Sequence, residues 1–159
     1  MAWTTPKTDW ASGELVSASD MNAIGENLAA LRHVVAASVT TEEIDLNAAT
    51  FADIDSNNLN LTIATAGGDV LVHFHGSLFH ESSKTCYFDI DVDGTRHGGE
   101  NGVLQSFSYL LGSVRLRQCV SFTRLIQTLS AGSHTFKLQC KTKGQLKLDP
   151  GAQFWVREI

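Results

Sequence analysis

The sequence has little positive charge and no long apolar stretch. Lys and Arg number 12 against 17 Asp and Glu, which gives a formal net charge of −5; a chain without a basic surface is poorly suited to binding nucleic acid. No apolar run approaches the roughly 20 residues that a membrane-spanning helix requires. No charged segment followed by an apolar one stands at the start, so no secretory signal is predicted. We therefore expect a protein that is made in the cytoplasm, inserts into no membrane and binds no nucleic acid.

Cysteine is scarce, at three residues. An odd number argues against a disulfide framework, and the absence of a close pair argues against a cysteine metal site. Each of Cys86, Cys119 and Cys140 lies where apolar residues alternate, and an unpaired cysteine behaves there as a small hydrophobic side chain. We predict free thiols that are buried or half-buried, and no catalytic cysteine, because no histidine partner or electropositive pocket is evident.

Hydrophobic residues make up 43% of the 159 residues, which is enough for the packed core of one domain with a short appendage. From about Ser38 onward the apolar residues recur at every second position, and turn residues such as Gly67-Gly68 and Pro150-Gly151 mark the breaks. This alternation predicts a mainly β domain of about eight strands, a sandwich or barrel. The predicted strands span 39–46, 59–65, 69–79, 85–93, 114–127, 133–143, 145–148 and 153–158.

The predicted strand 85–93 carries three aspartates that also fit a calcium-binding pattern. Asp89, Asp91 and Asp93 alternate with apolar residues, so the strand should turn them toward solvent. Together with Glu100 they match the D-x-D-x-D-G-x₅-E spacing of a calcium loop. That loop lies between helices, whereas the residues before Asp89 are typical of a strand. We therefore favour a strand that ends in an Asp93-Gly94 hairpin turn, and we assign no metal.

Histidines raise the question of a metal site or a catalytic site. His73 and His75 are two residues apart on a strand and face the same way, as zinc ligands could; hydrogen bonding beside an interface is the commoner role. Ser133-His134 has no nucleophile-elbow motif beside it and reads as the turn into a strand. Asp89 and Asp91 have the approximate spacing of a glycosidase pair but no recognisable cleft. The sequence indicates no enzyme and no cofactor.

A helix is predicted over residues 17–37. Ser17 and Asp20 have the spacing of a capping box, and the apolar residues that follow are spaced three and four apart, as in a coiled coil. A helix this short is marginal in water on its own. It therefore needs either copies of itself, in a trimer seam, or its own β-domain as a partner. The predicted seam consists of Met21, Ile24, Leu28, Leu31 and Val35.

Several stretches resemble parts of bacteriophage structural proteins. The segments WTTPKTDW and GELVSASDMN look like a leader found on many small proteins of this kind. The segments FDIDVDG, LSAGSHTF and QFWVRE look like the β-domains that often follow that leader. Those domains are similar to the trimeric jelly rolls of the tumour necrosis factor and complement-head type. The expected organisation is an attachment leader and helix over residues 1–37 and a trimerising jelly-roll β-sandwich over residues 38–159.

The resemblance implies a non-enzymatic virion component, such as a head or tail fibre, a spike or a decoration protein, made in the host bacterial cytoplasm. Its partners would be two further copies of itself and other virion proteins. Trp3, Pro6 and Trp10 would anchor the chain to those virion proteins. The alternative is a receptor- or carbohydrate-binding module of the same particle, with host surface glycans as its partner. The candidate residues for that role are Tyr87, Phe107, Tyr109 and the loop 98–102.

Replacing Trp3 and Trp10 together by alanine should prevent the chain from joining phage particles, while its circular dichroism and melting temperature stay close to those of the parent. The leader has no regular period and carries Pro6, so it should add little to the core, whereas two buried tryptophans can contribute several kcal/mol to an interface. Co-sedimentation with purified particles measures the loss. Normal incorporation combined with a strongly lowered melting temperature would instead place both tryptophans in the protein's own core.

Overall fold

The computed structural model describes residue 12 and residues 15–30, 34–38, 43–80, 84–108 and 117–159. This part of the chain contains one helix, α1 (Ala18–Ala30), and twelve strands. The strands are β1 (Val34–Ser38), β2 (Ile44–Leu46), β3 (Ala52–Asp53), β4 (Asn60–Thr65), β5 (Gly68–His80), β6 (Lys84–Val92), β7 (Thr95–Arg96), β8 (Leu104–Ser108), β9 (Arg117–Leu129), β10 (Gly132–Thr142), β11 (Leu146–Leu148) and β12 (Gln153–Glu158).

Two antiparallel sheets form a sandwich. The first sheet has the order β1-β12-β5-β11-β2, and β9 pairs with the other edge of β5. The second sheet has the order β3-β10-β6-β7, with β4 also on β10 and β8 also on β6. The predicted mainly β, jelly-roll-type sandwich is confirmed. Most of the predicted strands correspond to observed ones, with ends that differ by a few residues; β1, β8 and the short β3 and β7 were not predicted.

The core lies between the two sheets because alternate residues of the long strands face inward. Along β10 the burial alternates, and Phe136 and Leu138 are fully buried. Phe74 of the first sheet stacks on Phe88 of the second, with 5.6 Å between the ring centroids. Burying each such side chain contributes roughly 2–3 kcal/mol, so the contact between these two inner faces holds the sheets together.

The helix is shorter than predicted. Its cap is confirmed, since the Asp20 amide donates to Ser17 Oγ at 3.2 Å and the Ser17 amide donates to Asp20 Oδ2 at 3.1 Å. The helix ends at Ala30, however, and Val34–Ser38 form β1, in which Val35 pairs with Val156 of β12. The prediction of helix to residue 37 is therefore wrong, because β-branched residues there add a strand to the edge of the first sheet.

This correction changes two further predictions. Val35 cannot belong to a helical seam, and Leu31 lies outside the described residues. The boundary predicted between residues 37 and 38 falls within β1, so the strands begin at Val34. As for the membrane, the described residues include no helix that is long and apolar enough to cross one.

The three cysteines are free thiols. Cys86 and Cys140 lie in the core as predicted, and a hydrogen bond between them, together with burial, raises the pKa of the Cys86 thiol well above its ordinary value. Cys119 is exposed, so the prediction of burial is wrong for this residue. Strand β9 pairs with β5 and turns Cys119 to the outside of the first sheet.

His134 connects β10 to the turn that follows β6. Its Nδ1 lies 2.6 Å from Asp93 Oδ2 and its Nε2 lies 2.9 Å from the Ser130 carbonyl oxygen. Both ring nitrogens therefore face acceptors, and the protonated ring, which donates from both, suits this position. The bonds to Asp93 and Ser130 raise the pKa of His134 above 6.5. The Thr135 amide and His134 lower the pKa of Asp93 below 3.8.

The free energy of unfolding should fall as the pH rises through the pKa of folded His134, because a raised pKa stabilises the fold only while the ring stays protonated. The full contribution is present below pH 6.5, and it declines again only in acid, where Asp93 becomes protonated. Urea unfolding measured across this range should show the decline in the parent and not in His134→Gln. The exposed His75 gives the control, His75→Gln, which should keep the decline; an equal decline in His134→Gln would contradict the assignment.

Candidate functional site

The outer face of the first sheet, the side turned away from the core, has an uncharged row of side chains at its centre. The strand register places Trp155 of β12, His73 of β5 and Thr123 of β9 side by side. The His73 ring stacks on Trp155 with 5.0 Å between centroids, and His73 Nδ1 lies 2.9 Å from Thr123 Oγ1. In the next row Leu71 stands between Leu125, which is 38% exposed, and the exposed Arg157 of β12. We call the surface formed by Leu71, His73, Thr123, Leu125 and Trp155 the first-sheet face.

The first-sheet face favours a neutral His73. Burial lowers the pKa of this histidine, and the neighbouring His75 lowers it further. His73 and His75 do lie on the same side of β5, as predicted. Within the described parts of the chain, no group of three or more His, Cys, Asp and Glu residues is placed to hold a metal ion. An uncharged row of this kind, with an exposed arginine beside it, is typical of a protein–protein interface, where aromatic residues and Arg are enriched.

A cluster of charged side chains lies toward one end of the same sheet, around Phe79. Arg117 donates to Asp149 at 2.9 Å and lies over the Phe79 ring at 5.2 Å. Lys147 lies over the same ring at 5.8 Å and forms an ion pair with Glu43. These cations cover Phe79, which is buried although it is on the outer side of the sheet.

The outer side of the second sheet is organised by an ion pair whose carboxylate is buried. Asp89 has no exposed surface, and its Oδ2 accepts from Arg96 Nε at 2.6 Å. Arg96 Nη2 also donates to the Gly99 carbonyl at 2.8 Å, and the guanidinium carbon lies 3.7 Å from the centre of the Phe51 ring. One arginine therefore holds together strand β6, the loop that follows β7, and the segment before β3.

The predicted exposure of the aspartates is wrong for Asp89 and Asp91, which are both buried. The alternation did place them opposite the core side chains, but the loop 97–103 lies along β6 and over Asp89. The His97 amide donates to the Ile90 carbonyl at 2.9 Å and the Val103 amide donates to the Phe88 carbonyl at 2.8 Å. This side of the sheet is covered by the protein's own loop.

The three aspartates of the calcium-loop pattern all accept from protein donors. Asp89 bonds to Arg96, Asp91 accepts from the Gly94 amide at 2.9 Å, and Asp93 accepts from the Thr135 amide at 2.8 Å. Asp93 and Gly94 both have positive φ, 53° and 85°, as the two central residues of a type I′ hairpin turn require. The prediction of a strand that ends in an Asp-Gly hairpin turn is confirmed.

The loop 97–103 leaves no space for side chains at two glycines. A Cβ on Gly102, whose φ is +69°, would lie 2.1 Å from the Phe88 carbonyl oxygen, and one on Gly98 would lie 2.6 Å from Asp89 Oδ1. The Gly102 amide donates to the Gly99 carbonyl at 3.1 Å, which closes a turn with Glu100 and Asn101 at its tip. Those two side chains are therefore presented by a tightly packed loop.

A groove of about 270 Å³ opens beside this turn, lined by Ala49, Tyr87, Glu100, Asn101, Lys141, Thr142 and Lys143. Lys141 opposes Tyr87 across the β6–β10 pair. Its ammonium donates to the Glu100 carbonyl at 2.8 Å and lies 4.8 and 4.9 Å from the centres of the Tyr87 and Phe51 rings. We call this the Tyr87 groove.

The Tyr87 groove brings together two of the features that the sequence nominated for carbohydrate binding, Tyr87 and the loop 98–102. Phe107 is 55% exposed on β8 but does not line the groove, and Tyr109 lies outside the described residues. Lys141, Thr142 and Lys143 were not predicted. The signal for Lys141 was its position in β10, where it alternates with buried residues and must face outward.

The proposed anchor and seam are described only in part. Trp3, Pro6 and Trp10 lie outside the described residues. Met21 and Ile24, the first two seam residues, are 58% and 44% exposed on α1. Leu28 lies within α1. The role of these residues in a trimer stays a prediction.

No protein-family model matches the sequence, and no curated protein matches it either. Among solved structures, the chain is similar to Eiger TNF from S. frugiperda, with a TM-score of 0.47 and 13% sequence identity over 80% of this chain and 94% of that one. The similarity concerns the fold alone.

Replacing Arg96 by methionine should lower the free energy of unfolding by roughly 3 kcal/mol, because it leaves the Asp89 carboxylate buried without its cation. Arg117→Met is the matched control: it also removes an arginine from an ion pair, but an exposed one, and its effect should be much smaller. The double variant Asp89→Asn with Arg96→Met should recover part of the loss. Guanidinium unfolding measures all three, and equal losses for the two single variants would contradict the importance of the pair formed by the buried Asp89 carboxylate.

Proposed function

We propose that the chain is a non-enzymatic structural protein of a bacteriophage particle. In this proposal the β-sandwich assembles as a homotrimer through the first-sheet face, and the N-terminal segment attaches the trimer to another virion protein. The leader stretches around Trp3 and Ser17 support the phage assignment through their resemblance to leaders of virion proteins. The fold supports it only in general terms, because a jelly roll serves many functions.

The observation that carries the proposal is the chemistry of the first-sheet face. A half-buried tryptophan, a histidine whose pKa is lowered and two leucines occupy the middle of an open sheet. Such side chains gain free energy when a second protein surface covers them, and aromatic residues are enriched at the centres of interfaces. Closed symmetric assemblies of identical chains are the commonest way to cover a patch of this kind.

The start of the chain offers a second apolar surface that supports attachment. Leu15 is 90% exposed and Val16 is 52% exposed, and Met21 and Ile24 continue this exposure along α1. Each large apolar side chain that stays in water gives up roughly 1.5–3 kcal/mol of the free energy that its burial would contribute. Copies of α1 in a trimer, or a groove on another virion protein, would cover them.

The polar contacts of the sandwich also support a structural role. Asp89 is paired with Arg96, and Asp93 is paired with His134. Each of these pairs connects two segments of the chain, so the charge stabilises the fold. The buried thiols of Cys86 and Cys140 are likewise removed from solvent, where a nucleophile would have to act.

The chain should have three times its own mass in solution, and Leu125→Asp should shift it toward the monomer, because this change puts a charge into the first-sheet face. The control is Phe107→Asp, which places the same charge at an exposed apolar position on the second sheet and should leave the trimer intact. Light scattering coupled to size exclusion at micromolar concentration measures the mass. A parent that is monomeric under these conditions would overturn the assembly proposal.

A further inference from the structure

We infer that the Tyr87 groove binds a neutral saccharide. The inference goes beyond the structural role proposed above and does not depend on it. It rests on the groove's shape, on the kinds of polar group that line it and on the way in which the fold holds those groups.

Hydrogen-bond acceptors and hydrogen-bond donors lie side by side in the lining of the groove. Glu100 contributes a carboxylate, Asn101 an amide and Tyr87 a phenolic hydroxyl, and Lys141 and Lys143 contribute ammonium groups. Among the described residues, the Glu100 carboxylate and the Asn101 amide have no hydrogen-bond partner, whereas Lys141 is held by the Glu100 carbonyl. The groove therefore offers a ligand both free acceptors and free donors.

This combination selects for hydroxyl groups. A hydroxyl donates one hydrogen bond and accepts others, so neighbouring sugar hydroxyls can donate to Glu100 and accept from Asn101 or lysine. An anion such as phosphate would need mainly donors and would be repelled by Glu100. A cation would need acceptors only and would be repelled by the two lysines. A neutral polyhydroxylated ring satisfies the whole set.

The size of the groove agrees with a small saccharide. Its volume is about 270 Å³, near the lower end of the roughly 300–1,000 Å³ typical of small-molecule sites. One sugar ring, or part of a second, fits that space. A long peptide would have to extend beyond it.

The side chains that line the groove are also held in place before a ligand binds. The glycine contacts at Gly98 and Gly102 and the Arg96 bond to the Gly99 carbonyl hold the turn that carries Glu100 and Asn101. On the opposite wall, Lys141 lies against the Tyr87 and Phe51 rings at distances typical of cation–π contacts. A site whose side chains are already ordered loses little conformational entropy when a ligand binds.

The test uses the full chain and saturation-transfer NMR with a defined panel: glucose, galactose, mannose, N-acetylglucosamine, glucuronate and inorganic phosphate. At least one neutral sugar should bind with a dissociation constant in the millimolar range or below, and phosphate should not compete. Asn101→Ala, which removes the amide, and Glu100→Ala, which removes the carboxylate, should each weaken that binding about tenfold, since each removes a hydrogen bond to a hydroxyl.

The matched control is Asn57→Ala, which removes an exposed asparagine side chain from the turn between β3 and β4, away from the groove lining. It should leave sugar binding unchanged. Both groove positions are exposed at the tip of a turn, so circular dichroism should show that the variants remain folded. Binding of phosphate alone, binding of no sugar in the panel, or an equal loss in Asn57→Ala would each overturn the inference.

Discussion

The rest of the molecule depends on one constraint, the contact between the inner faces of the two sheets. That contact is centred on the stacked rings of Phe74 and Phe88. Because side chains alternate along a strand, fixing one residue of each pair in the core sends its neighbours to the outer surface. Phe74 inside puts His73 outside on the first sheet. Phe88 inside puts Tyr87 and Asp89 outside on the second. Both candidate surfaces are therefore consequences of the packing of the core.

The outer faces of the two sheets differ in whether the chain itself covers them. The first-sheet face is left open, with an uncharged row at its centre, Arg157 beside Leu71 and a cluster of charged side chains toward one end. On the second sheet the chain covers itself, because Asp89 lies beneath the loop 97–103 and must have a cation beside it. Arg96 provides that cation, and its bond to the Gly99 carbonyl holds the loop over Asp89. The Tyr87 groove lies beside the tip of this covering loop, so its shape depends on the same ion pair.

The sequence was informative wherever the structure repeats a local period. Most strands could be predicted because alternation and glycine turns are local signals. The last part of the helix could not, since Val34 and Val35 fit a three-four spacing as well as a strand, and pairing with β12 decides between them. Short strands such as β7 have too few residues for any period. The burial of Asp89 depends on a loop whose path is set by contacts distant along the chain.

The Tyr87 groove was likewise predictable from the sequence only in part. Tyr87 and the loop 98–102 could be nominated from residue type alone. Lys141 became part of the site only through the register in which β10 pairs with β6, which no local pattern specifies. Phe51, which fixes both Arg96 and Lys141, precedes a strand of two residues that has no sequence signature.

The central proposal is that this sandwich uses its first sheet for assembly and leaves the Tyr87 groove on its second sheet open to solvent. The most direct measurement is an electron-microscopy map of the purified assembly at a resolution that shows side chains. The account predicts three copies around one axis, with Trp155 and Leu125 inside the contacts between copies and the Tyr87 groove open to solvent. A map in which Trp155 faces solvent and Tyr87 lies between copies would contradict it.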